Sequence, residues 1–499
     1  MNKHKTVTLK SVLRIALLAG LVLTAMTGLT PQTTQASPGV IYVNINAGTG
    51  GDGAAWGTAY KDLQDALAAA VDGDEIWVAA GVYYPDEDEG GSVTDDDRNA
   101  AFNLKEGVSI YGGFKGDETS RDQRNWDANL TVLSGDIEQN DITDNGVVQT
   151  PDGIIGGNSN NVVKGLNLNG NPAVLDGFSV TGGNAFVTPA GFTDDPGGGA
   201  IQLEGARNVH LENLTVRGNQ ASSVVGVGGG INGRESELTI RDSVIRNNRS
   251  YLNGGGLSFS TKGNVSIEDT HILENVVIDA IGQCLVQVSG GGGIYQARGP
   301  LSLTNVVMER NVADCQGGGL KRFGGSLHMY GGAFLNNEVR PSQISPFWSS
   351  GGGLAWVDSG NMWIDSVLFM GNRVDYHGGA IEVGGQGLIA GNGVWITNST
   401  FVANKATDAG LLELNVDRDS TLILENVIIW DNEGDQRDGF GLILLAGPLT
   451  SNSGIGNSLV QGSGAPALWN TRYGPDLGGN IDTTPDFVQP PVGTAPNVS

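Results

Sequence analysis

The hydrophobic positions of this chain come in short runs that glycine and asparagine interrupt at regular intervals. Across the middle of the chain, a group of glycines repeatedly precedes an aliphatic residue or alanine. The glycine triplets are 197–199, 228–230, 254–256, 291–293, 317–319 and 351–353, with weaker copies at 378–380 and 409–411. Short β-branched and aliphatic runs bounded by turn residues predict β-strands.

A second signature follows each glycine group. An apolar anchor is succeeded five residues later by a large apolar residue and eight residues later by asparagine, as in Leu211, Val216 and Asn219. The eight asparagines are Asn219, Asn248, Asn275, Asn311, Asn337, Asn372, Asn404 and Asn432. Their spacing of 26 to 36 residues indicates a solenoid with one coil per repeat. Asparagine suits the corners of such coils because it tolerates left-handed backbone conformations, and stacked amides can hydrogen-bond from coil to coil.

These two signatures predict an all-β fold, a right-handed parallel β-helix. Stacked coils pair each strand in parallel with the next copy and enclose apolar layers. A doubly wound sheet would need crossover helices with a helical period, and a β-sandwich would need hairpin signals. The sequence shows neither pattern.

One short helix is predicted close to the start of the chain. The apolar residues on one face of this helix are Leu63, Ala66, Leu67, Ala70 and Val71. Thr58 is the candidate N-cap, and Gly73 lies just past the last turn. Because the open end of a solenoid exposes unpaired strand edges, we expect this helix to cap the N-terminal end.

Residues 1–36 have the pattern of a secretory signal peptide. Four basic residues precede an apolar run at 15–23, and small residues at 34–36 offer a cleavage site. The alternative is an uncleaved membrane anchor, but the apolar run is shorter than the roughly 20 residues that cross a bilayer. We therefore expect export to the extracellular space or the cell surface, and no membrane span after the signal is removed.

The remainder of the chain divides into three parts by sequence pattern. Residues 37–150 form the N-terminal cap and first coils, 151–440 the β-helix repeat domain, and 441–499 the C-terminal coils and tail. The tail is rich in proline, glycine and threonine, and no second cap follows it. Either the last 60 or so residues fold over the stack, or the protein is a shortened form that stops before an anchor.

Charge and cysteine content narrow the choice of partners. The formal charge is −26, and signal removal makes the chain more acidic because it takes away only basic residues. Such a surface repels nucleic acid and anionic lipid but is compatible with neutral sugars or divalent cations. The two cysteines, Cys284 and Cys315, lie in successive repeats of an exported chain, so we expect a disulfide; the alternative is two buried thiols.

Particular motifs resemble two groups of bacterial proteins. The signals Gly331-Gly332-Ala333, Gly378–Ile381, Phe369–Asn372 and Phe401–Asn404 resemble the GGA[IL] and FxxN repeats of polymorphic outer-membrane proteins. The segments 62–67, 73–78, 107–114 and 116–119 are similar to secreted bacterial β-helix proteins that often carry a variable C-terminal surface anchor. Gly478–Asp482, with Pro485 and Phe487, resembles the region before that anchor. The resemblance implies a pectate-lyase-like fold and a surface protein, without implying one activity.

A stacked column of side chains is the best candidate ligand-binding surface. Counting two residues past each post-glycine apolar residue gives Gln202, Gly233, Phe259, Gln296, Arg322, Trp356, Glu382 and Glu413. If their neighbours point inward, these residues form one outward column whose amides, aromatic rings and charges suit a sugar polymer. The alternative is an ordinary solvated face, since any solenoid stacks polar residues somewhere.

Three carboxylates are candidate catalytic residues. Glu382 and Glu413 would lie on adjacent coils about 5 Å apart, close enough to couple their ionisation and to support acid–base chemistry. The segment Met362–Ser366, which contains Asp365, faintly resembles a pectate lyase motif. That motif has histidine at the position of Ser366. The alternative is that these carboxylates have only a structural role, because no further catalytic motif accompanies them.

An acidic loop at 86–97 resembles a calcium-binding loop. Its candidate ligands are Asp86, Asp88, Ser92, Thr94 and Asp97. The loop departs from the EF-hand pattern, with glycine at the fifth place and aspartate at the twelfth, so a solvated acidic loop is the alternative. Calcium is the one cofactor that the sequence suggests.

Three functional hypotheses follow. The first is a non-catalytic, adhesin-like surface protein that binds glycans or cell-surface partners. The second is an extracellular polysaccharide lyase or glycoside hydrolase, and the third is a structural spacer. Long insertions at 276–290 and 338–350 favour the first, because insertions on one face of a solenoid usually build a binding surface.

Overall fold

The computed structural model describes residues 39–487 apart from several short segments. Those segments are 90–95, 187–196, 223–225, 280–288, 341–348, 358–359, 389–391, 407–411, 417–419, 435–442, 447–449 and residue 466. The predicted signal peptide, 1–36, lies outside the described residues. The fold lies in the compact unit Val40–Ser499.

Four parallel sheets run through the described part of the chain, and each coil contributes one strand to most of them. Sheet 1 consists of Val40–Val43, Glu75–Ala79, Ser109–Phe114, Ala173–Asp176, Val209–Glu212, Leu238–Arg241, Val265–Glu268, Leu301–Thr304, Leu327–Tyr330, Met362–Asp365, Gly393–Thr397, Thr421–Glu425, Gly454–Gly456 and Asp476–Gly478. Sheet 2 consists of Gly81–Tyr83, Thr131–Ser134, Ser179–Thr181, Thr215–Arg217, Val244–Arg246, His271–Leu273, Val307–Glu309, Ala333–Leu335, Leu368–Met370, Thr400–Val402, Ile428–Trp430 and Leu459–Val460.

The other two sheets complete the coils. Sheet 3 consists of Phe102–Asn103, Val163–Leu166, Ile201–Glu204, Ile231–Arg234, Leu257–Ser260, Ile294–Ala297, Leu320–Phe323, Leu354–Val357, Ile381–Leu388, Leu412–Val416 and Ile443–Ala446. Sheet 4 consists of Asn184–Ala185, Gln220–Ala221, Arg249–Ser250, Val276–Val277, Val312–Ala313, Glu338–Val339, Arg373–Val374 and Lys405–Ala406. A short antiparallel pair, Thr143–Asp144 with Val147–Val148, lies outside them.

The chain is therefore a right-handed parallel β-helix, as predicted. In a typical coil it passes through sheets 3, 1, 2 and 4 and then returns to sheet 3 one layer further along. Right-handed connections are the rule between parallel strands of one sheet. Sheet 1 continues from Val40 to Gly478, so all three parts of the sequence after the signal supply strands to one stack.

Strand alternation places the core. Along Val265–Glu268, the buried Val265 and Ile267 alternate with partly exposed neighbours. Each strand of the repeat region that follows this alternation adds one layer of apolar side chains to the interior. These layers join into one hydrophobic cluster that extends from Val43 to Tyr473. Phe334, Phe369 and Phe401 stack inside the coils with ring centroids 4.7 and 5.0 Å apart. Such aromatic pairs contribute about 0.5–1.5 kcal/mol each beyond their burial.

The repeated asparagines form a continuous ladder of hydrogen bonds. Each side-chain amide donates to the side-chain oxygen of the next asparagine, and the seven distances lie between 2.8 and 3.0 Å. The predicted left-handed backbone is displaced by one position, because the residue before each asparagine adopts it. Asn247 and Arg310 are examples, each with a φ of 52°. The role of each asparagine is thus to form the hydrogen bonds of the ladder, whereas the residue before it adopts the left-handed backbone conformation.

The predicted capping helix is present as Leu63–Ala69, with Leu63, Ala66 and Leu67 buried. Two details of its prediction were wrong. The helix begins after Asp62, because Thr58 ends a separate 3-10 turn, Trp56–Thr58. Val71 lies beyond the last turn and is 52% exposed, so it does not share the buried face. Further 3-10 turns occupy Arg121–Gln123, Pro151–Gly153 and Thr471–Tyr473.

Candidate functional site

The predicted outward column on sheet 3 separates into two columns that face opposite sides. Strand register places Phe259, Gln296, Arg322 and Trp356 in one line with the core residue Leu203. All four are 0% exposed. The expectation that they line an outer surface was therefore wrong, because their side chains point into the coil and cannot contact a polymer outside it. Gly233 belongs to the same inward line, where the ring of Phe259 lies beside it.

The reason is a shift of one residue at three repeats. Ile201 pairs with Ile231, Ile381 pairs with Leu354, and Leu412 pairs with Ile381. Ala200 and Ala380 therefore occupy the position that the third glycine holds in other repeats. Counting two residues from these alanines reaches the opposite face of the strand, because a one-residue slip exchanges the two faces of a sheet. Gln202, Glu382 and Glu413 consequently point outward.

Arg322 is held inside the coil by hydrogen bonds. Its Nη1 donates to Oε1 of Gln296 at 2.6 Å. Its Nη2 donates to the carbonyl oxygens of Gly299 and Ser326 at 2.6 and 2.7 Å. Burial lowers the pKa of Arg322 to about 9, because desolvation disfavours the charged guanidinium. These contacts make the residue a structural member of the core.

Glu382 and Glu413 lie on adjacent coils in direct register, as predicted. The side chain of Glu413 approaches His377, whose Nδ1 lies 2.6 Å from Oε2 of Glu413. Burial raises the pKa of Glu382 to about 7, and the charge of Glu413 acts in the same direction. A carboxyl that holds its proton near neutrality beside a histidine-paired carboxylate is an arrangement that can transfer a proton.

The surroundings of this carboxylate pair leave little access from solvent. Glu382 is 8% exposed, and the side chain of Glu413 is 15% exposed. On the same outward column, Lys321 is fully buried and its Nζ donates to the carbonyl of Ser289 at 2.8 Å. Burial lowers the pKa of Lys321 to about 7. Gln202, at the far end of the column, is 7% exposed and accepts a hydrogen bond from Asn232 at 3.1 Å.

Asp365 lies on sheet 1, away from the carboxylate pair on sheet 3. Its Oδ1 accepts hydrogen bonds from Oγ1 of Thr397 at 2.7 Å and from Nδ2 of Asn398 at 2.6 Å. These bonds hold the pKa of Asp365 below its usual range. An ionised, partly exposed carboxylate of this kind is suited to accept hydrogen bonds from a ligand rather than to donate a proton.

The predicted calcium loop is described only in part. The structure describes Asp86, Asp88 and Asp97, whereas Ser92 and Thr94 lie outside the described residues. The Oδ2 of Asp86 accepts from the backbone N–H of Asp96 at 3.1 Å. Among the described residues, no three histidine, cysteine or acidic side chains gather closely enough to hold a metal ion. Calcium binding stays a prediction.

The predicted disulfide also involves a residue outside the description. Cys315 is 3% exposed and lies in the turn that leads from the sheet 4 strand Val312–Ala313 back to sheet 3. Cys284 lies in the segment 280–288, outside the described residues. The pairing of the two cysteines stays a prediction.

A groove runs over the outer face of sheet 1, where the sequence did not place a site. Its first hollow has a volume of about 630 Å³, and a second hollow of about 290 Å³ adjoins it at His210, which lines both. The floor is one register line, Val174, His210, Thr239 and Ser266, on four successive coils. We call the two hollows together the sheet 1 groove. Because the line is perpendicular to the strands, the groove follows the helix axis.

Aromatic and charged side chains wall the first hollow. Arg124 lies 5.0 Å from the ring centroids of both Tyr111 and Trp126, and its Nη2 is 2.5 Å from Oδ2 of Asp176. Arg121 lies 4.6 Å from the Tyr111 ring. Trp126 keeps 37% of its surface exposed. The stacking fixes the guanidinium groups, so that the hollow presents ordered hydrogen-bond donors beside an accessible ring.

The charges of the first hollow nearly balance. Two arginines face the carboxylates of Asp122, Asp176 and Glu212. Glu212 in turn lies 3.6 Å from Arg241 on the next coil. Hydrogen-bonding groups of both signs beside an aromatic ring suit a ligand that is rich in hydroxyl groups and carries no net charge.

Sequence reasoning missed this groove for identifiable reasons. Val209-His210-Leu211-Glu212 shows the alternation of a strand with one outward face, and this signal was available. The segment that supplies Arg121, Arg124 and Trp126 precedes the repeats and follows no periodic pattern. Its position over sheet 1 is set by tertiary contacts, such as the hydrogen bond from Arg121 to Glu75.

These features define a parallel β-helix protein with a lengthwise surface groove. No protein-family model matches the chain, and no curated protein sequence matches it significantly. The pectate lyase Pel9A is similar at 11% identity over 85% of this chain and 76% of that chain, with a TM-score of 0.35. PfbA, a surface adhesin of Streptococcus pneumoniae, is similar at 12% identity over 77% and 85%, with a TM-score of 0.35.

A third similar structure is the Family 28 exopolygalacturonase of Yersinia enterocolitica. It shares 11% identity over 84% of this chain and 79% of that chain, with a TM-score of 0.28. Likenesses of this degree carry no argument about what this chain binds. Within the described residues, no helix has the length and apolar character that crossing a membrane requires.

Proposed function

We propose that this chain is an exported, non-catalytic binding protein that holds a linear, neutral glycan in the sheet 1 groove. The observation that carries the proposal is the groove itself, with an accessible ring, ordered charged side chains and a floor that continues over successive coils. From Val174 to Ser266 the floor spans three coil spacings, about 14 Å. That length fits a few sugar units laid along the helix axis.

The charge of the protein supports a neutral ligand over an acidic one. The chain has a formal charge of −26, and three carboxylates line the first hollow against two arginines. A uronate polymer would bring further negative charge into this field and would lose affinity, whereas hydroxyl groups bridge carboxylates and guanidinium groups without a charge penalty.

The test is retention of purified residues 37–499 by immobilised neutral and acidic polysaccharides, with and without calcium, together with assay of chain shortening. We expect retention by a neutral polymer and no shortening. Trp126→Ala and His210→Ala should each lower the affinity about tenfold, the equivalent of about 1.4 kcal/mol. Trp430→Ala, which removes an outward tryptophan from sheet 2, is the matched control and should leave retention unchanged.

Retention only by acidic polymers, or equal retention by the groove variants and the wild type, would refute the proposal. Export is tested separately by determining the N-terminus of the mature protein from culture supernatant. An N-terminus near residue 37 supports cleavage of the predicted signal, and a mature chain that begins at residue 1 contradicts it.

An extracellular polysaccharide-degrading enzyme is the second candidate function. The observation that favours it is the register of Glu382 with Glu413, which places two carboxyl groups on strands about 4.8 Å apart. Retaining glycosidases hold their two carboxyl groups at about 5–5.5 Å. Chain shortening that disappears in Glu382→Gln would establish this function in place of binding alone. Shortening that persists in Glu382→Gln would exclude this pair as the catalytic residues.

A further inference from the structure

The outward register lines of sheet 1 continue beyond the groove and end in an aromatic cluster. After Ser266, the line that floors the groove passes through Ser302 to His328, Trp363 and Trp395. One coil, Leu301–Thr304, separates the groove from this cluster. The neighbouring outward line carries Tyr330, Asp365 and Thr397 on the same strands. We call His328, Tyr330, Trp363, Asp365 and Trp395 the aromatic site.

Three rings of the aromatic site stack along the helix axis. The His328 and Trp363 ring centroids are 4.3 Å apart, and those of Trp363 and Trp395 are 5.2 Å apart with an interplanar angle of 7°. The rings cover one another's faces, so their edges point away from the sheet. Within the described residues, neither indole N–H has a hydrogen-bond acceptor, although both side chains are partly exposed. Two indole donors are thus available at one surface.

The ring of Tyr330 has an open face, which the stacked rings lack. It is 60% exposed, and its register neighbours are Thr304 and Asp365 rather than other rings. Asp365 is ionised and ordered by its bonds to Thr397 and Asn398. An open aromatic face, two N–H donors and an ordered carboxylate acceptor are the groups that bind a pyranose ring and its hydroxyls.

The alternative is that the stack only stabilises the sheet, since cross-strand aromatic pairs contribute to stability wherever they occur. That account explains the mutual packing of His328, Trp363 and Trp395. It does not explain why a tyrosine beside them remains 60% exposed on an outer face whose preceding coil, Leu301–Thr304, carries serine and threonine. Tyrosine and tryptophan side chains, which combine an aromatic face with a polar group, are enriched at binding interfaces.

We infer that the aromatic site is a second glycan-binding site, and that one extended neutral glycan spans it and the sheet 1 groove. This inference rests on the proposed function. From Val174 to Trp395 the shared line crosses seven coil spacings, about 34 Å. A pyranose ring is about as long as one coil spacing, so a chain of about seven or eight units reaches both sites, whereas about four units fill the groove alone. Joining two sites on one ligand increases affinity without new contacts at either.

The experiment measures the affinity of residues 37–499 for β-1,4-linked gluco- and manno-oligosaccharides of about four and about eight units by calorimetry. For the wild type we expect at least tenfold tighter binding of the longer chain. Tyr330→Ala and the double variant Trp363→Ala/Trp395→Ala should bind the longer chain no more tightly than the shorter one, with the shorter unchanged. Trp126→Ala should weaken both, and Trp430→Ala should weaken neither.

The outcomes separate the two proposals. Equal wild-type affinity for both lengths overturns the second site and leaves the groove supported. A Tyr330→Ala variant that keeps the full wild-type gain for the longer chain also overturns it, because Tyr330 would then contribute nothing to the binding of that chain. Absence of binding to either length overturns the groove and the second site together. Tyr330 is 60% exposed and makes no ring contact with any residue that the structure describes. Its variant therefore tests the site even where loss of the tryptophan stack unfolds the protein.

Discussion

The guanidinium of Arg322 donates to the side-chain oxygen of Gln296 at 2.6 Å inside the β-helix, and both residues are 0% exposed. No carboxylate is among the hydrogen-bond partners of this arginine in the described residues, since its other acceptors are carbonyl oxygens. The charge is therefore stabilised by dipoles in neighbouring coils. Arg322 lies in register between Gln296 on the preceding coil and Trp356 on the following coil.

Arg322→Ala should destabilise the fold by about 3 kcal/mol or more. The substitution leaves a cavity and deprives three oxygen acceptors of their donor, among them the buried side-chain oxygen of Gln296. The double variant Arg322→Met/Gln296→Met should lose less, because replacing both partners by apolar groups of similar size removes the unsatisfied side-chain oxygen. Urea unfolding followed by circular dichroism measures both. A double variant less stable than Arg322→Ala would contradict this account.

Asn311→Ala should cost about 2–4 kcal/mol of unfolding free energy. Asn311 donates to the carbonyl of Ile272 and to Asn337, and it accepts from the backbone and side chain of Asn275. Each buried group left without a partner costs about 1–3 kcal/mol, partly relieved by relaxation. Asn432→Ala is the control, because Asn432 closes the ladder and is 9% exposed. Equal losses at the two positions would show that the ladder does not act as described.

Stability should depend on pH through Glu382. Its folded pKa of about 7 lies above the value of 4.5 for a free carboxyl, so the folded state binds more protons between these limits. The contribution of Glu382 is therefore complete below pH 4.5 and is lost as pH rises through 7, by about 3 kcal/mol. Glu382→Gln should remove that loss, and the exposed Glu425→Gln should follow the wild-type curve. Identical curves for Glu382→Gln and the wild type would contradict the raised pKa.

Lys321 should act in the opposite direction at higher pH. Its folded pKa of about 7 lies below the ordinary 10.5, so the folded state binds fewer protons between these values. Stability should accordingly rise from pH 7 to 10.5 as the unfolded chain gives up its proton. Lys321→Met should flatten this part of the curve, as measured by urea midpoints in buffers of constant ionic strength. A rise that persists in Lys321→Met would assign it to other groups.

Cys284 and Cys315 should be linked in the protein recovered from culture supernatant. Closing a loop of about 30 residues contributes on the order of 3–4 kcal/mol by the loop-entropy account. Alkylation before and after reduction, followed by mass spectrometry, measures the pairing. Equal labelling with and without reductant would exclude the bond, and Cys284→Ser/Cys315→Ser should then unfold at the same urea concentration as the wild type.

The fold was determined largely by local sequence. Glycine groups and the asparagine at a fixed offset specify where each coil turns, and the apolar positions between them specify which side chains face inward. These are short-range features that repeat, so the stack follows from one coil. The ladder from Asn219 to Asn432 and the cap at Leu63–Ala69 could both be predicted in this way.

The positions of functional side chains depended on register and on long-range contacts. Ala200 and Ala380 occupy the place of a glycine, and this shift of one residue decides that Glu382 points outward while Trp356 points inward. Strand pairing alone shows such a shift, because the two faces of a strand alternate with every residue. The groove depends on Trp126 and Arg124, which pack over sheet 1 from a non-repeating segment. The sequence thus determined the coil and its core, whereas only the tertiary structure decided which outer face became concave, because that depends on contacts between residues far apart in the chain.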